Sequence, residues 1–428
     1  MHYIRGDKMA VLDTDATTII GAINELHREN NNNIINAVGY GIKEGFNVDV
    51  TQNTTLFQNL INYCGSDKVI YFPSGNYVFN SVNLGEKRNI TIKGQSSSFA
   101  SLAQKNINTG EITDTFTKIY CNAPSGNTFF NHKSCVLVME DIAFYNTTKD
   151  TDGKTFTQIA SKTNTFMQHT KSAGASNNTE KGKVFLTNCA FYGWKVCFGS
   201  EYTFQHLENE LGTGKTEADY DYIKQSCVVA SRCRFTSNGI AINQSVDARI
   251  IDCSFNKNDY AIVFRENSGF STVSNCRIEW NNYNGIYCDK THELTISNCE
   301  FDRNGYAGLY ATENTNSNFN GVFRRNGANV TSNDDSHSED YEKNVHIYAY
   351  GNINCNFIGC NTVAMQILDT SSGGASRPSN CSNFSNNSNC IIAFNNLFGC
   401  TKLDKTVANK IENNTNCIIN SNMLSTTN

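Results

Sequence analysis

The chain has 428 residues, with 40 Asp and Glu against 35 Lys and Arg, and a formal net charge of −5 at pH 7. This balance gives no basic surface for nucleic acid, and no run of about 18 apolar residues offers a membrane span. Residues 1–8 contain no apolar segment of the kind found in signal peptides, so we expect no secretion by that route.

The first 41 residues are expected to form a short α-helical adaptor. Asp15 is a suitable helix N-cap, and Ile19, Ile23 and Leu26 recur at helical spacing. A stripe of this length is marginal as a lone helix. We therefore predict that these three residues pack against copies of the same segment or against another protein.

A second domain is predicted over residues 42–428, and a helix and a hairpin open it within residues 42–80. Apolar residues on one side of residues 54–63 indicate the helix. Residues 69–77, VIYFPSGNY, indicate two strands around a Pro-Ser-Gly turn. We expect the helix to cover the end of the β-structure, because an exposed strand edge promotes aggregation.

A three-residue phrase, Cys, a polar residue and then Phe or Ile, recurs through the middle of the chain. It begins at Cys233, Cys253, Cys276 and Cys299, spaced by 20, 23 and 23 residues, with looser copies at Cys189, Gly321 and Cys355. Polar and apolar residues alternate around it, so Ile251, Cys253 and Phe255 are predicted to point inwards. A fixed period of this size indicates a solenoid of short strands, and hence an all-β parallel β-helix.

An asparagine follows the cysteine position by five residues in four copies, at Asn238, Asn258, Asn281 and Asn304. Asparagine suits tight turns and is predicted to form a ladder between stacked coils. Polar segments interrupt the repeat at residues 101–119, 146–182, 201–226 and 327–343, and we expect them to loop out of the corners of the coils.

Seventeen cysteines allow either a disulfide or metal framework or a set of buried thiols. The odd count, the absence of C-x-x-C and the inward position of the repeated cysteines favour buried thiols. His292, His337 and His346 show no metal-ligand spacing and are expected at the surface. No metal or other cofactor is predicted.

Two segments carry a resemblance to known families. Residues 69–77, followed by ITIKG at 90–94, resemble the opening of pectate-lyase-like right-handed β-helix proteins, although residues 47–53 lack the Asp-Gly-x-x-Asp-Asp stretch often found there. Residues 14–26 are similar to the helical segment near the N-termini of phage tail fibres. Together the two segments resemble a bacteriophage tailspike or tail-fibre protein.

That resemblance implies a right-handed parallel β-helix that is usually a homotrimer. It also implies a location in the virion tail after synthesis in the host cytoplasm, attachment to other tail or baseplate proteins through the N-terminus, and host cell-surface polysaccharide as a partner.

Counting outwards from the cysteine positions brings two carboxylates together. Glu279 and Asp302 are predicted to lie side by side on the outer face, about 4.8 Å apart, the spacing of adjacent strands. Glycoside hydrolysis uses two carboxyl groups about 5–5.5 Å apart for retention or about 6.5–9.5 Å apart for inversion. Glu279 and Asp302 are therefore the candidate catalytic residues.

Further residues are candidates for contact with a glycan because they are charged, or aromatic and able to stack on a sugar ring. They are Arg277, Trp280, Tyr283, Tyr287, Glu300 and Tyr310. A purely structural role stays open for them. Arg277 and Glu300 can form a cross-strand ion pair, and Tyr287 can stack on Tyr310 as an aromatic ladder.

Three functions remain open from the sequence. The first is a phage attachment component that binds host cell-surface glycan through its β-helix. The second is a depolymerase, a glycosidase or lyase, acting on capsule or wall polymer. The third is a structural tail or baseplate protein without glycan binding. The aromatic residues favour a glycan role, and we take the first function as the leading hypothesis.

Overall fold

The computed structural model describes residues 34–64, 68–86, 89–97, 116–133, 136–149, 156–158, 162–169, 183–199, 227–243, 245–265, 268–327, 345–363, 382–402, 405–407, 410–420 and 423–426. These residues form one helix, α1 (Val50–Cys64), and 36 strands. Residues 1–33 of the predicted N-terminal adaptor, with Ile19, Ile23 and Leu26, lie outside the described residues, whereas its residues 34–36 form the first strand of the β-structure.

The first strands are β1 (Ile34–Asn36), β2 (Val69–Phe72), β3 (Gly75–Phe79), β4 (Val82–Glu86), β5 (Asn89–Gly94), β6 (Thr117–Cys121), β7 (Thr128–Lys133), β8 (Val136–Glu140), β9 (Ala143–Lys149), β10 (Phe156–Gln158), β11 (Thr165–His169), β12 (Lys183–Thr187), β13 (Ala190–Tyr192) and β14 (Val196–Gly199). The central strands are β15 (Cys227–Ser231), β16 (Arg234–Thr236), β17 (Ile240–Asn243), β18 (Arg249–Ile251), β19 (Ser254–Asn256), β20 (Tyr260–Arg265), β21 (Thr272–Ser274), β22 (Arg277–Glu279), β23 (Ile286–Asp289), β24 (Thr295–Asp302), β25 (Leu309–Thr312) and β26 (Asn318–Arg324). The last strands are β27 (Ile347–Tyr350), β28 (Asn356–Ile358), β29 (Asn361–Val363), β30 (Asn383–Ser385), β31 (Ile391–Ala393), β32 (Asn396–Lys402), β33 (Lys405–Val407), β34 (Lys410–Glu412), β35 (Ile418–Asn420) and β36 (Met423–Thr426).

Successive coils stack these strands into three parallel faces, except for β10 and β33, which pair antiparallel with β9 and β32. The first face runs β1-β2-β5-β8-β12-β15-β18-β21-β24-β26-β28-β31-β35. The second face runs β3-β6-β9-β13-β16-β19-β22-β24-β26-β29-β32-β36. The third face contains β4-β7-β11 and then β14-β17-β20-β23-β25-β27-β30-β34. The predicted all-β parallel β-helix is confirmed.

The cysteine phrase marks the corner between the first and second faces. The residue before each cysteine has a positive φ, as at Arg232, Asp252 and Asn275, with φ of 54–55°. This left-handed residue turns the chain, and it also resets the alternation of inward and outward side chains. Ile251, which was predicted to point inwards, is therefore 37% exposed, while its neighbour Ile250 is buried.

The asparagine ladder lies at the next corner, between the second and third faces. The Nδ2 of each asparagine donates to the Oδ1 of the next, over 2.9 Å from Asn238 to Asn258, 3.0 Å to Asn281, 2.7 Å to Asn304 and 2.8 Å to Asn326. All five side chains are buried. The predicted ladder is confirmed, and it extends one coil further than the four copies read from the sequence.

One copy of the phrase was assigned to the wrong corner. Cys355 lies beside Ser317, at the start of the first face, because Asn356 pairs with Asn318. Cys360 lies instead beside Gly321 and continues the cysteine column. Both corners combine a left-handed residue, such as Asn354, with a small buried one, so their local sequence patterns look alike.

Helix α1 packs on the coil that contains β2, β3 and β4. The ring of Phe57 lies 5.3 Å from that of Phe72 and 4.7 Å from that of Phe79. The helix begins at Val50, four residues earlier than predicted. Asp49 caps the helix by accepting a hydrogen bond of 3.0 Å from the Gln52 N–H. The apolar stripe, on which the prediction rests, does not reveal this cap.

Two predicted loops contain strands. Residues 117–119 belong to β6 of the second face, and residues 165–169 form β11 of the third face. The error arises because these coils lack the cysteine phrase, so their strands look like part of a polar insertion. The rest of the four segments lies largely outside the described residues.

Fourteen cysteines in the described part of the chain are thiols outside any disulfide, and all of these except Cys417 are buried. Burial raises the pKa of the Cys253 thiol well above its ordinary value. His346 is also fully buried, which corrects the expected surface position, because it lies beneath the end of the asparagine ladder, 3.4 Å from Asn326. Within the described residues, no helix is long and apolar enough to cross a membrane.

Candidate functional site

The register of the second face brings the predicted charged residues together. Arg277 of β22 pairs with Glu300 of β24, and Glu279 pairs with Asp302. Their side chains alternate with the inward Ile278 and Phe301, which are fully buried. Glu279 and Asp302 are therefore neighbours on adjacent strands, as the sequence predicted, although their catalytic role stays a prediction.

Asp302 differs from the expected open carboxylate. Its side chain is only 2% exposed, because arginine side chains cover it. Arg325 donates through Nε to Oδ1 over 2.8 Å and also contacts Oδ2, while Arg303 lies 3.3 Å from Oδ2. The Asp302 carboxylate therefore links its own strand to Arg303 and to Arg325 of the next coil, and a sugar has little access to it.

The ion pairs around it also differ from the prediction. Although Arg277 and Glu300 are opposite each other in the strand register, their side chains form ion pairs with other residues. The Nη2 of Arg277 lies 2.8 Å from Oε2 of Glu279 on its own strand, while Glu300 contacts Arg324 on the next coil. Glu279 further accepts a hydrogen bond of 3.0 Å from the amide of Asn256. Each carboxylate of the second face therefore has a basic partner.

Trp280 lies at the end of this row in a left-handed backbone conformation, with φ of 57°. Its side chain is 39% exposed, and the guanidinium of Arg303 lies 4.4 Å from its ring centroid. A bulky residue is uncommon in this conformation. The ring has one face on Arg303 and keeps solvent-exposed area that a sugar ring can contact.

The predicted tyrosines lie elsewhere on the coils. Tyr287 and Tyr310 are on the third face, with ring centroids 4.5 Å apart and planes 8° apart, and Tyr310 stacks in turn on Tyr348 at 5.1 Å. The predicted aromatic ladder is confirmed. Because the rings cover each other's faces, they present mainly edges to a ligand. Tyr283 lies between Tyr260 and Tyr306 in the turn before the third face.

A groove opens beside the charged row, at the corner between the first and second faces. Its volume is about 500 Å³. It is lined by Asn298, Cys299, Glu300, Asn320, Gly321, Val322, Arg324 and Gly359. The pairing of β24 with β26 shifts register between Ile296 and Cys299, at this corner.

The lining of the groove is fixed by hydrogen bonds and by a glycine. The Nδ2 of Asn320 donates to the carbonyl oxygens of Ile358 and Gly359 over 2.9 and 3.3 Å. Gly359 has a φ of +71°, where side chains are rarely found. The exposed Val322 adds an apolar surface. The groove therefore offers amides, one ion pair and an apolar side chain in one concave surface.

Sequence reasoning included only Glu300 among these lining residues. It missed Asn298, Asn320, Val322, Arg324 and Gly359. A signal was present in the repeat, because Gly321 follows Cys299 by 22 residues instead of 23. A shortened coil indicates a local change of register, and registers change where a β-structure is irregular.

The charged row and the groove hold no evident metal site. Among the described residues, no three His, Cys, Asp or Glu side chains come close enough together to bind a metal ion. The chemistry that this surface offers comes from its carboxylates, guanidinium groups, amides and aromatic rings.

Comparisons with known proteins agree with this architecture. A family model described as "Right handed beta helix region" matches residues 222–373. The tailspike protein 2 enzymatically active domain of bacteriophage CBA120 superposes with a TM-score of 0.54 at 13% identity, over 91% of this chain and 51% of that one. The chain thus spans about half the length of that tailspike structure.

A second similar structure is the DFA-IIIase of Arthrobacter chlorophenolicus A6 in complex with DFA-III. It superposes with a TM-score of 0.56 at 11% identity, over 88% of this chain and 86% of that one. No curated protein sequence is significantly similar to this chain. The chain therefore folds as a right-handed parallel β-helix of the kind that phage tailspikes have.

Proposed function

We propose that the chain is the host-recognition part of a phage tailspike or tail fibre, and that its groove binds host cell-surface polysaccharide. The groove of about 500 Å³ on the outer surface of the β-helix carries this proposal. Glycans need hydrogen bonds for their hydroxyl groups and apolar contact for their ring faces. Asn298, Asn320 and the Glu300–Arg324 pair supply the first, and Val322 supplies the second.

The fold supports the proposal. The same architecture forms the enzymatically active domain of the CBA120 tailspike and a DFA-IIIase that binds DFA-III. In a β-helix, each coil adds one strand to each face, so a groove on one face can extend over several coils and accept a chain-like ligand.

In this proposal, residues 1–41 attach the protein to other tail or baseplate proteins in the virion tail. Ile19, Ile23 and Leu26 form the apolar contact, and three chains assemble into a homotrimer. Sedimentation of the purified protein is expected to give the mass of three chains. A mass of one chain would contradict the homotrimer.

Glycan binding is tested with an array of bacterial surface glycans and the purified protein. We expect retention of a defined subset of glycans and binding to the cells that display them. If the protein binds neither glycans nor cells, the proposal fails and a structural role in the tail is favoured.

A depolymerase activity is the second candidate, because adjacent strands place Glu279 beside Asp302. It is tested by the release of reducing ends from a bound polysaccharide. Release that Glu279→Gln abolishes would support catalysis by this pair. Binding without release would exclude hydrolysis of that glycan, and the groove would then act in recognition alone.

A further inference from the structure

We infer that the glycan bound in the groove carries an acidic group, and that Arg324 binds this group. The inference rests on the proposed glycan-binding function of the groove and specifies the class of its ligand. It follows from the hydrogen bonds of Arg324, from the balance of charges around it and from the geometry of a guanidinium group.

The guanidinium of Arg324 has an unused donor. Arg324 lines the groove, and its side chain is 32% exposed. Its Nη2 contacts Glu300 and lies 4.0 Å from Oδ2 of Asp302. Its Nε is buried and has no hydrogen-bond partner among the described residues, and Oε1 of Glu300, which Nη2 contacts, has none either. Buried polar groups are rarely left unpaired in folded proteins, so Glu300 alone does not satisfy Arg324, and Nε still needs an acceptor.

The charges around Arg324 favour an anion as that acceptor. Asp302 is already held by Arg303 and Arg325. Across the ion pairs of the second face, four arginines face three carboxylates, which leaves one positive charge in excess. The chain as a whole carries −5, so this local excess runs against the overall charge. One acidic group on the ligand would balance it.

The two donors of Arg324 also suit an acidic group geometrically. Nε and Nη2 lie on one edge of the guanidinium plane, and this edge forms two parallel hydrogen bonds with a carboxylate or a phosphate. The ligand would accept from Nε and from the N–H of Nη2 on that edge, while the second N–H of Nη2 stays with Glu300. A uronic acid and a phosphate-bearing sugar share this chemistry.

The test uses an array with neutral, uronate-containing and phosphate-containing glycans, read with four proteins. These are the wild type, Arg324→Lys, Arg324→Gln and the control Arg249→Gln, which changes an exposed arginine on the first face. We expect the bound glycans to be acidic. Both Arg324 variants should lose affinity by about tenfold or more, including the lysine variant, which keeps the charge but lacks the two-donor edge. Arg249→Gln should bind as the wild type does.

A second measurement leaves the protein unchanged. Reduction of the glycan's carboxyl groups, or removal of its phosphate, should abolish binding. The treatment that does so identifies the acidic group that the protein binds. Binding of neutral glycans alone would overturn this inference and leave the proposed function intact, whereas no binding to any glycan would overturn both. Acidic binding that both Arg324 variants retain would overturn the role of Arg324.

Discussion

The inner and outer surfaces of the coils between residues 227 and 327 are formed by the same strands, but the residues repeat from coil to coil on the inside and change on the outside. Inside, the asparagine ladder repeats in every coil, because each side chain must bond with its copy above and below. Outside, the position three residues after the cysteine changes from Thr236 to Asn256, Glu279 and Asp302. The repeated residues therefore report the fold, and the changing ones indicate where the coils differ in their surface chemistry.

The largest effect is expected from breaking the inner ladder. Asn281→Ala removes the acceptor of both the backbone N–H and the Nδ2 of Asn258, and the donor to Asn304. These groups are buried, and each unpaired one costs about 1–3 kcal/mol. We expect the free energy of unfolding, measured with urea, to fall by about 4 kcal/mol.

Asn256→Ala is the matched control on the outer surface. Asn256 lies two residues before the ladder residue Asn258 and donates one hydrogen bond to the carboxylate of Glu279. Its side chain is half-buried, so its removal should cost no more than about 1 kcal/mol. Equal losses for Asn256→Ala and Asn281→Ala would show that the inner and outer positions do not differ as described.

The next largest effect is expected at Asp302, which is on the outward side of its strand but is buried. Asp302→Asn removes the charge that holds Arg303 and Arg325. Because this carboxylate is buried, we expect a loss of about 3 kcal/mol in stability, whereas Glu279→Gln should cost less than about 1 kcal/mol. Urea unfolding of both variants measures the difference. A stable Asp302→Asn variant would remove the structural role assigned to this residue.

The pH dependence of stability should report His346. Burial lowers the pKa of His346 to about 4, below its ordinary value of 6.5. Between these values, the unfolded chain takes up a proton at His346 and the folded chain does not. The stabilisation of the folded protein by neutral His346 is therefore fully present above pH 6.5. It is lost as the pH falls towards 4, by on the order of 2–3 kcal/mol.

The variant His346→Gln isolates this contribution. Unfolding measured between pH 7 and 4 should show a smaller pH dependence for His346→Gln than for the wild type. An unchanged slope for His346→Gln would mean that the folded protein protonates this residue.

The smallest effect on stability is expected at Trp280. Trp280→Asn relieves a left-handed conformation that costs about 1–2 kcal/mol for most residues, but it loses the contact with Arg303, worth about 0.5–1 kcal/mol. We expect stability to change by less than about 1 kcal/mol and glycan affinity to fall about fivefold. If calorimetry shows unchanged affinity, Trp280 does not contact the glycan.

Most of the fold could be predicted from the sequence because packing repeats. The period of the cysteine phrase predicted the coils, and the asparagine position predicted the ladder. The errors arose where the local sequence pattern does not reveal the position of a residue in its coil. Ile251 alternates correctly in sequence, but the left-handed Asp252 turns it outwards. Cys355 carries the phrase at a different corner.

The candidate site was less predictable because it depends on contacts across coils. Register placed Glu279 beside Asp302, but the arginines that cover Asp302 are Arg325, from the next coil, and Arg303, the residue that follows Asp302 in sequence. The groove lies at a corner where the register shifts, and part of its lining, Gly359, follows an interruption of the repeat. The period of the sequence repeat alone predicts neither the ion-pair partner of a charged side chain nor the presence of a groove on the surface.

The most direct test of the account is a measurement of glycan affinity after the groove is filled. Val322 and Ser254 occupy the same outward row of the second face, but only Val322 lines the groove. With a glycan selected on the array, calorimetry should show a loss of about tenfold or more for Val322→Phe and wild-type affinity for Ser254→Phe. Wild-type affinity in Val322→Phe would contradict the assignment of the groove as the glycan-binding site.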